Sequence, residues 1–284
     1  MTNRKDLRPQ PHIYGTLKEG SIMKKFLITA LALILLSLPV SISSNIGEPK
    51  GFLGTAFTNT VALYATVNNK DHFDCSAAIY ESVPNKLHNE YHVISAGHCV
   101  QDIPVATFSI ADNVGGKLTP VTLMKVRDDD TVGIDFAQFD LVTDKTYPVI
   151  SLGDESTLRV GDSIINPNFA EGLGKQLSIG LVSSQSLAPT TYCKEESCRD
   201  SFIIQTFGAG GSSGSVVISK KTHKVVGVVT AEIADDDGQI INIGMIVEPI
   251  SRFQIFLQQP TQDHPAPKDA NALIEEIIKS ITGK

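Results

Sequence analysis

Three short segments hold the residues best suited to chemistry. Ser95-Ala96-Gly97-His98-Cys99 places a histidine at the end of an apolar, strand-like run, directly before a cysteine. Gly133-Ile134-Asp135-Phe136-Ala137 sends an aspartate into an apolar strand, where a carboxylate is costly unless a partner offsets its lost hydration. Asp128, Asp129 and Asp130 form a charge run, the pattern of a solvated loop, and Asp140 falls mid-strand on an ordinary alternating face. Gly208-Ala209-Gly210-Gly211-Ser212-Ser213-Gly214-Ser215 has glycines on both sides of Ser213, so the backbone can turn sharply and present the hydroxyl. The amides of Gly211 and Ser213 can then point at one spot, where a tetrahedral oxyanion would form. Each segment alone has an ordinary explanation: a structural histidine beside a disulfide, a turn aspartate, a glycine-rich turn. Together, His98, Asp135 and Ser213 follow one of the few chain orders in which nucleophile triads occur, with serine attacking, histidine as base and aspartate as its orienter.

The elements that must position these residues read as short strands. Val61–Val67 alternates and is β-branched, and Cys75–Tyr80 and His92–Ser95 read as two hairpin-paired strands around the histidine. Further strands are expected over 106–110, 119–126, 136–142, 163–167, 176–184, 201–206, 215–219, 224–230 and 240–247. Turn signals separate them, among them Asn113-Val114-Gly115-Gly116 and Asp235-Asp236-Asp237-Gly238. Many short strands at this spacing, with no helices between them, predict an all-β sandwich or barrel. Helical pattern is read only late: Ser251 is placed to cap 252–259, and Leu273, Ile274, Ile277, Ile278 and Ile281 recur at helical spacing over 270–281. No internal repeat has a readable period.

These motifs, as a set, resemble the chymotrypsin/trypsin-like serine peptidases, bacterial secreted type. Ser95–Cys99 is similar to the family's Thr-Ala-Ala-His-Cys, Ile134–Ala137 to its Asp-Ile-Ala segment, and Gly211–Ser215 to Gly-Asp-Ser-Gly-Gly. Lys224–Ala231 resembles the strand that pairs with substrate backbone, and Gln205-Thr206 resembles bacterial members, including periplasmic heat-shock proteases. The resemblance spans roughly Val61 to Gln259. It implies two antiparallel β-barrels with a C-terminal helix, the first barrel carrying His98 and Asp135 and the second Ser213. It implies an oxyanion hole from Gly211 and Ser213, and substrate contacts at Phe207, Thr230, Ala231 and Glu232. Phe207 stands where trypsin-like members keep a pocket-base Asp, so apolar residues are expected before the cleaved bond; Glu232 at the rim is the feature that would instead draw a basic side chain. Two positions depart from the family: Ser212 stands where many members carry Asp, and Ser215-Val216 replaces Gly-Pro. Four cysteines allow three pairings. The resemblance implies Cys75–Cys99, the histidine-loop disulfide, which leaves Cys193–Cys198. The remaining histidines (His72, His88, His92, His223, His264) lie in polar stretches and are read as surface residues.

Composition agrees and narrows the partners. The 284 residues are 42% hydrophobic and 19% charged with a net charge of -7, as expected of a globular chain with a real core. No basic run marks a nucleic-acid interface, and the expected partner is a protein or peptide substrate. Cysteine and histidine spacing does not suit a zinc site, and the chemistry needs no metal or organic cofactor. Met23-Lys24-Lys25, an apolar run over 26–40 broken by Pro39, and then Ser41-Ile42-Ser43-Ser44 have the order of a secretory signal peptide. Secretion or a periplasmic location is therefore expected, with the membrane met only through that signal. Lys18-Glu19 can be encoded by AAGGAG, a ribosome-binding sequence three codons ahead of Met23, so residues 1–22 read as untranslated leader, a polar extension being the alternative. The domains are then 1–22, the signal at 23–44, the peptidase domain at 45–259, and a linker with an amphipathic helix at 260–284. A binding module that keeps the peptidase fold without activity is the rival from another functional class; the complete set of three residues argues against it.

Overall fold

The computed structural model describes residues 49–101, 103, 107–129, 134–186, 200–234 and 240–259. The chain divides into two compact units, Met1–Gly47 and Glu48–Lys284, and all described residues belong to the second. The leader, the signal segment, Asp130, Gly133, Cys193, Cys198, the 235–238 turn, the linker and the 270–281 helix lie outside the described residues.

Twelve antiparallel strands close into two six-stranded barrels. The first contains β1 (Thr60–Val67), β2 (Lys70–Val83), β3 (Asn89–Ser95), β4 (Thr107–Ala111), β5 (Thr119–Asp129) and β6 (Ile134–Thr143). Its circuit runs β1-β2-β3-β6-β5-β4. The second contains β7 (Ser163–Asn168), β8 (Gln176–Ser184), β9 (Phe202–Gln205), β10 (Val216–Ser219), β11 (Val225–Ala234) and β12 (Ile240–Pro249). Its circuit, β7-β8-β9-β12-β11-β10, repeats the first with every label raised by six. A repeat invisible in sequence is thus plain in topology. With the C-terminal helix Ile250–Gln258, this is the chymotrypsin-like fold.

Strand alternation explains how the barrels are filled and joined. On β2, β3 and β6, Ala77, Ile79, Val93, Ala137 and Phe139 fill the first barrel. Their neighbours Ala78, Tyr80, Ile94, Ile134 and Phe136 meet Ile165, Val216, Ile218 and Val228 of the second barrel in a shared core. Successive side chains of a strand point to opposite faces, so these strands are apolar on both. The second barrel encloses Ile164, Val182, Ile204, Val217, Val226 and Val247.

Two helices differ from the sequence expectation. A helix the periodicity did not suggest, α1 (Gly51–Asn59), precedes β1. Its sequence is poor in helix formers and has no side-chain cap, and it is held by packing: Ala56, Phe52 and Leu53 join the shared core. The helix α2 (Ile250–Gln258) starts at Ile250 with Pro249 as N-cap, and Ser251 does not cap it. The Ser251 hydroxyl and amide instead bond the Glu155 carboxylate. Phe253 and Phe256 pack on Phe136 with ring centroids 5.3 Å and 6.0 Å apart. The Lys125 ammonium meets the carbonyls of Phe256, Leu257 and Gln259 at the helix C-terminus, where a cation is favoured. Beneath α2, Arg252 donates to Glu248 at 2.8 Å and to Asp200 at 3.1 Å, and Ser201 donates to Glu248 at 3.1 Å. Burial pushes the Glu248 carboxyl up to about 7 although Arg252 opposes the shift.

Candidate active site

His98 lies in the turn after β3, inside the β3–β4 connection, and Asp135 is the second residue of β6. Neighbouring strands bring them together. The turn is tight, with the amides of Val100 and Gln101 both donating to the Gly97 carbonyl at 3.0 Å. Gly97 is required here, because a Cβ at that position would stand 2.2 Å from the Arg127 carbonyl oxygen and 3.0 Å from Asp135 Oδ1. Asp135 receives His98 twice: the backbone N–H donates to Oδ1 at 2.8 Å, and Nδ1 lies 2.7 Å from Oδ2. The second contact makes Nδ1 the protonated nitrogen while Asp135 is ionised, which leaves Nε2 able to accept a proton. Desolvation alone would lower the His98 pKa. The hydrogen bond to Asp135 and the charges of Asp135, Asp128 and Asp74 together outweigh it, so the pKa is raised. Asp74 is itself raised by burial, against the pull of His98 and His72. The disulfide Cys75–Cys99 anchors the far side of the turn to β2, with its Cα atoms 6.2 Å apart. The two sulfurs and His98 lie within 4.8 Å of one another, but sulfurs bonded to each other offer no thiolate to a metal.

Ser213 lies in the β9–β10 connection. Ser212, Gly214 and Ser215 are buried while Ser213 is partly exposed. The loop is built almost wholly from backbone bonds. Ser212 N–H donates to the Ala209 carbonyl at 2.8 Å, Ser215 N–H to Ser212 at 3.1 Å, and Gly214 N–H to Val229 at 2.8 Å. The Ser212 hydroxyl accepts from Ala209 N–H at 3.1 Å. Gly211 and Gly214 have φ of +88° and +79°, conformations that a side chain resists. At Gly214 a Cβ would also stand 2.2 Å from the Ser76 carbonyl oxygen and 2.2 Å from Ser95 Oγ. The same position is 3.0 Å from the Ala96 amide, two residues before His98, so the loop reaches the histidine turn across the barrel boundary. The Gly210 carbonyl accepts from Glu171 N–H at 2.6 Å. A planar trans peptide then directs the Gly211 N–H to the opposite side.

The remaining expected residues fall around this loop. Thr230, Ala231 and Glu232 lie on β11, partly buried, with Ala231 opposite Ile246 and Glu232 opposite Met245 on β12. Glu232 Oε1 is buried with no hydrogen-bond partner among the described residues, and desolvation and the nearby Glu171 charge raise its pKa. Phe207 is 51% exposed. His92 is not a free surface histidine: its Nδ1 lies 2.8 Å from Asp140, its cross-strand partner, and its ring stacks on Tyr80. His223 likewise stacks on Phe52, with centroids 3.9 Å apart. Sequence reasoning missed Ser76 and Glu171, which hold the serine loop through bonds no motif announces.

The two six-stranded barrels of like topology define a chymotrypsin-like architecture. A trypsin-like peptidase domain model matches residues 84–228, just over half of the chain. The chain belongs to the trypsin-like peptidase family. Its fold is similar to that of the HtrA-type protease AlgW solved with a tripeptide, at 18% identity and a TM-score of 0.55, over 73% of this chain and 60% of that one. It is similar also to AlgW solved with a decapeptide, at 15% identity and a TM-score of 0.56, over 73% of this chain and 66% of that one. The chain thus spans less than two thirds of either AlgW chain's length. No curated protein sequence matches it significantly.

Proposed function

We propose that this chain is a secreted serine endopeptidase that hydrolyses peptide bonds through an acyl-enzyme on Ser213. The observation that carries the reading is the doubly bonded His98–Asp135 couple, set against a loop that exposes Ser213. Ser213 Oγ attacks the carbonyl carbon while His98 Nε2 takes its proton. The electron pair moves onto the carbonyl oxygen, toward the amides of Gly211 and Ser213. Collapse breaks the C–N bond, and His98 gives its proton to the departing amine. Water, deprotonated by His98, then releases the acid and restores Ser213. Asp135 keeps Nδ1 protonated and stabilises the charged ring.

Substrate adds as a strand along Thr230–Glu232, where main-chain bonds give affinity and side-chain pockets give selection. Phe207, standing where trypsin-like members keep a pocket-base Asp, gives a basic side chain no charge to pair with, which favours small or medium apolar residues before the cleaved bond. A buried Lys or Arg would have to recover its hydration from Glu232 and the nearby Glu171. Export is supported by the Met23–Ser44 pattern and by the Cys75–Cys99 disulfide, which persists in an oxidising compartment. The test is digestion of a peptide library by the mature chain, with cleavage sites read by mass spectrometry. Cleavage that Ser213→Ala abolishes is expected. A profile dominated by Arg or Lys contradicts the apolar pocket, and cleavage that survives Ser213→Ala contradicts the nucleophile.

A further inference from the structure

We infer that the Ser76 hydroxyl is the positioning group of the oxyanion loop, fixing from the first barrel the direction of the Gly211 amide in the second. The inference rests on the peptidase reading above. Ser76 is on β2, next to the disulfide at Cys75, and is 0% exposed. All of its polar groups face the catalytic side. Its N–H donates to the Ser213 carbonyl at 2.8 Å. Its hydroxyl donates to the Gly211 carbonyl at 2.7 Å and accepts from Phe169 N–H at 3.0 Å. Its carbonyl accepts from the Ser95 hydroxyl at 2.8 Å. The two carbonyls it holds belong to the two residues whose amides receive the oxyanion.

The hydroxyl governs both peptide units that meet at Gly211. It holds the following unit directly, through the Gly211 carbonyl. It holds the preceding unit through Phe169, which opens the short turn Ala170–Gly172; from that turn Glu171 N–H grips the Gly210 carbonyl at 2.6 Å. A planar peptide turns as one body, so fixing the two carbonyls fixes the amide between them. The loop needs such an outside constraint. Gly208, Gly210, Gly211 and Gly214 leave it with more backbone freedom than other residues would. Among the described residues the Ser212 hydroxyl bonds within the loop, accepting from Ala209 N–H.

An oxyanion contact strengthens in the transition state, so loosening it lowers kcat and leaves KM alone. In the full mature chain, Ser76→Ala is expected to lower kcat about 10–100-fold, short of the roughly 10²–10³ lost with an oxyanion donor itself. KM should stay within about twofold. Affinity for a peptide aldehyde, which forms a tetrahedral adduct with Ser213, should fall by the same factor, while affinity for a product peptide holds. Ser76→Thr, which keeps the hydroxyl, should retain most of kcat. Thr60→Val is the control, since it removes another fully buried hydroxyl, bonded to Ala56, and should lower the melting temperature with kcat unchanged. If Ser76→Ala does not fold, Ser76→Thr and Ser76→Cys decide by the same split, the thiol losing kcat at unchanged KM. Ser76→Ala (or Ser76→Cys in its place) that is less stable yet turns over at the wild-type rate overturns the inference. A wild-type chain that cleaves no peptide overturns the peptidase reading instead, before any Ser76 variant is made.

Discussion

The β3–β4 and β9–β10 connections are the same loop of two topologically equal barrels, and they hold His98 and Ser213 by different means. The histidine loop is braced by a disulfide and tied to the Asp135 carboxyl group by the His98 backbone N–H and ring. The serine loop is glycine-rich and tied by backbone bonds to Ser76, Glu171 and Val229 outside it, with the Ser76 hydroxyl adding one more. One half of the site tunes charge, and the other fixes direction. A charge-tuning half must betray itself in pH dependence. A direction-fixing half must betray itself in the separation of kcat from KM.

The largest expected effect comes from deleting either reactive group. Ser213→Ala or His98→Ala should lower kcat by about six orders of magnitude, and Asp135→Ala by about four, in peptide turnover normalised to folded protein. Next is the serine loop's backbone. Gly214→Ala sets a Cβ into two oxygens at 2.2 Å and should cost about 4 kcal/mol in denaturant unfolding. Gly161→Ala, also at positive φ but with open space around it, should cost about 1–2 kcal/mol. Equal losses would mean that strain, and not the close approach to Ser76, dictates the glycine. Removing the Cys75–Cys99 disulfide should cost about 3.5 kcal/mol from loop entropy, and peptide mapping should find Cys193 bonded to Cys198.

The pH test separates the halves. The folded His98 pKa is raised above its ordinary 6.5, so the charged ring stabilises the fold. That stability is fully present below the unfolded value and is lost as pH rises through the folded one. Activity runs the other way, because the base must be neutral. kcat/KM should rise with pH through an apparent pKa above 6.5. Asp135→Asn should move that midpoint down, since the largest remaining influence is burial. Ser76→Ala should leave the midpoint in place. The smallest expected effect is none: a short tag before Asn45 should not change active-site labelling, because Ser212 offers no carboxylate to a newly made ammonium.

Much of this was legible in the sequence, for reasons that differ by element. The strands announced themselves as short β-branched runs between turn signals, and the glycines around Ser213 because the loop needs φ that other residues resist. The helix Gly51–Asn59 left no trace, since it is stabilised by the core it lands on and not by its own propensities. Asp140 looked like a plain strand residue until register set it opposite His92. Ser76 was silent for the same reason. A serine on a strand carries no motif, and its role exists only once 135 residues of chain have returned to place Gly211 beside it.

The proposed chemistry depends above all on Ser213 being an activated nucleophile. The most direct measurement is mass-spectrometric mapping of the mature chain after treatment with a fluorophosphonate, which reacts with a serine only when a neighbouring base takes its proton. One adduct is expected, on the peptide containing Ser213, with labelling lost in Ser213→Ala and nearly lost in His98→Ala. An unlabelled wild-type chain, or an adduct that persists in Ser213→Ala, would contradict it.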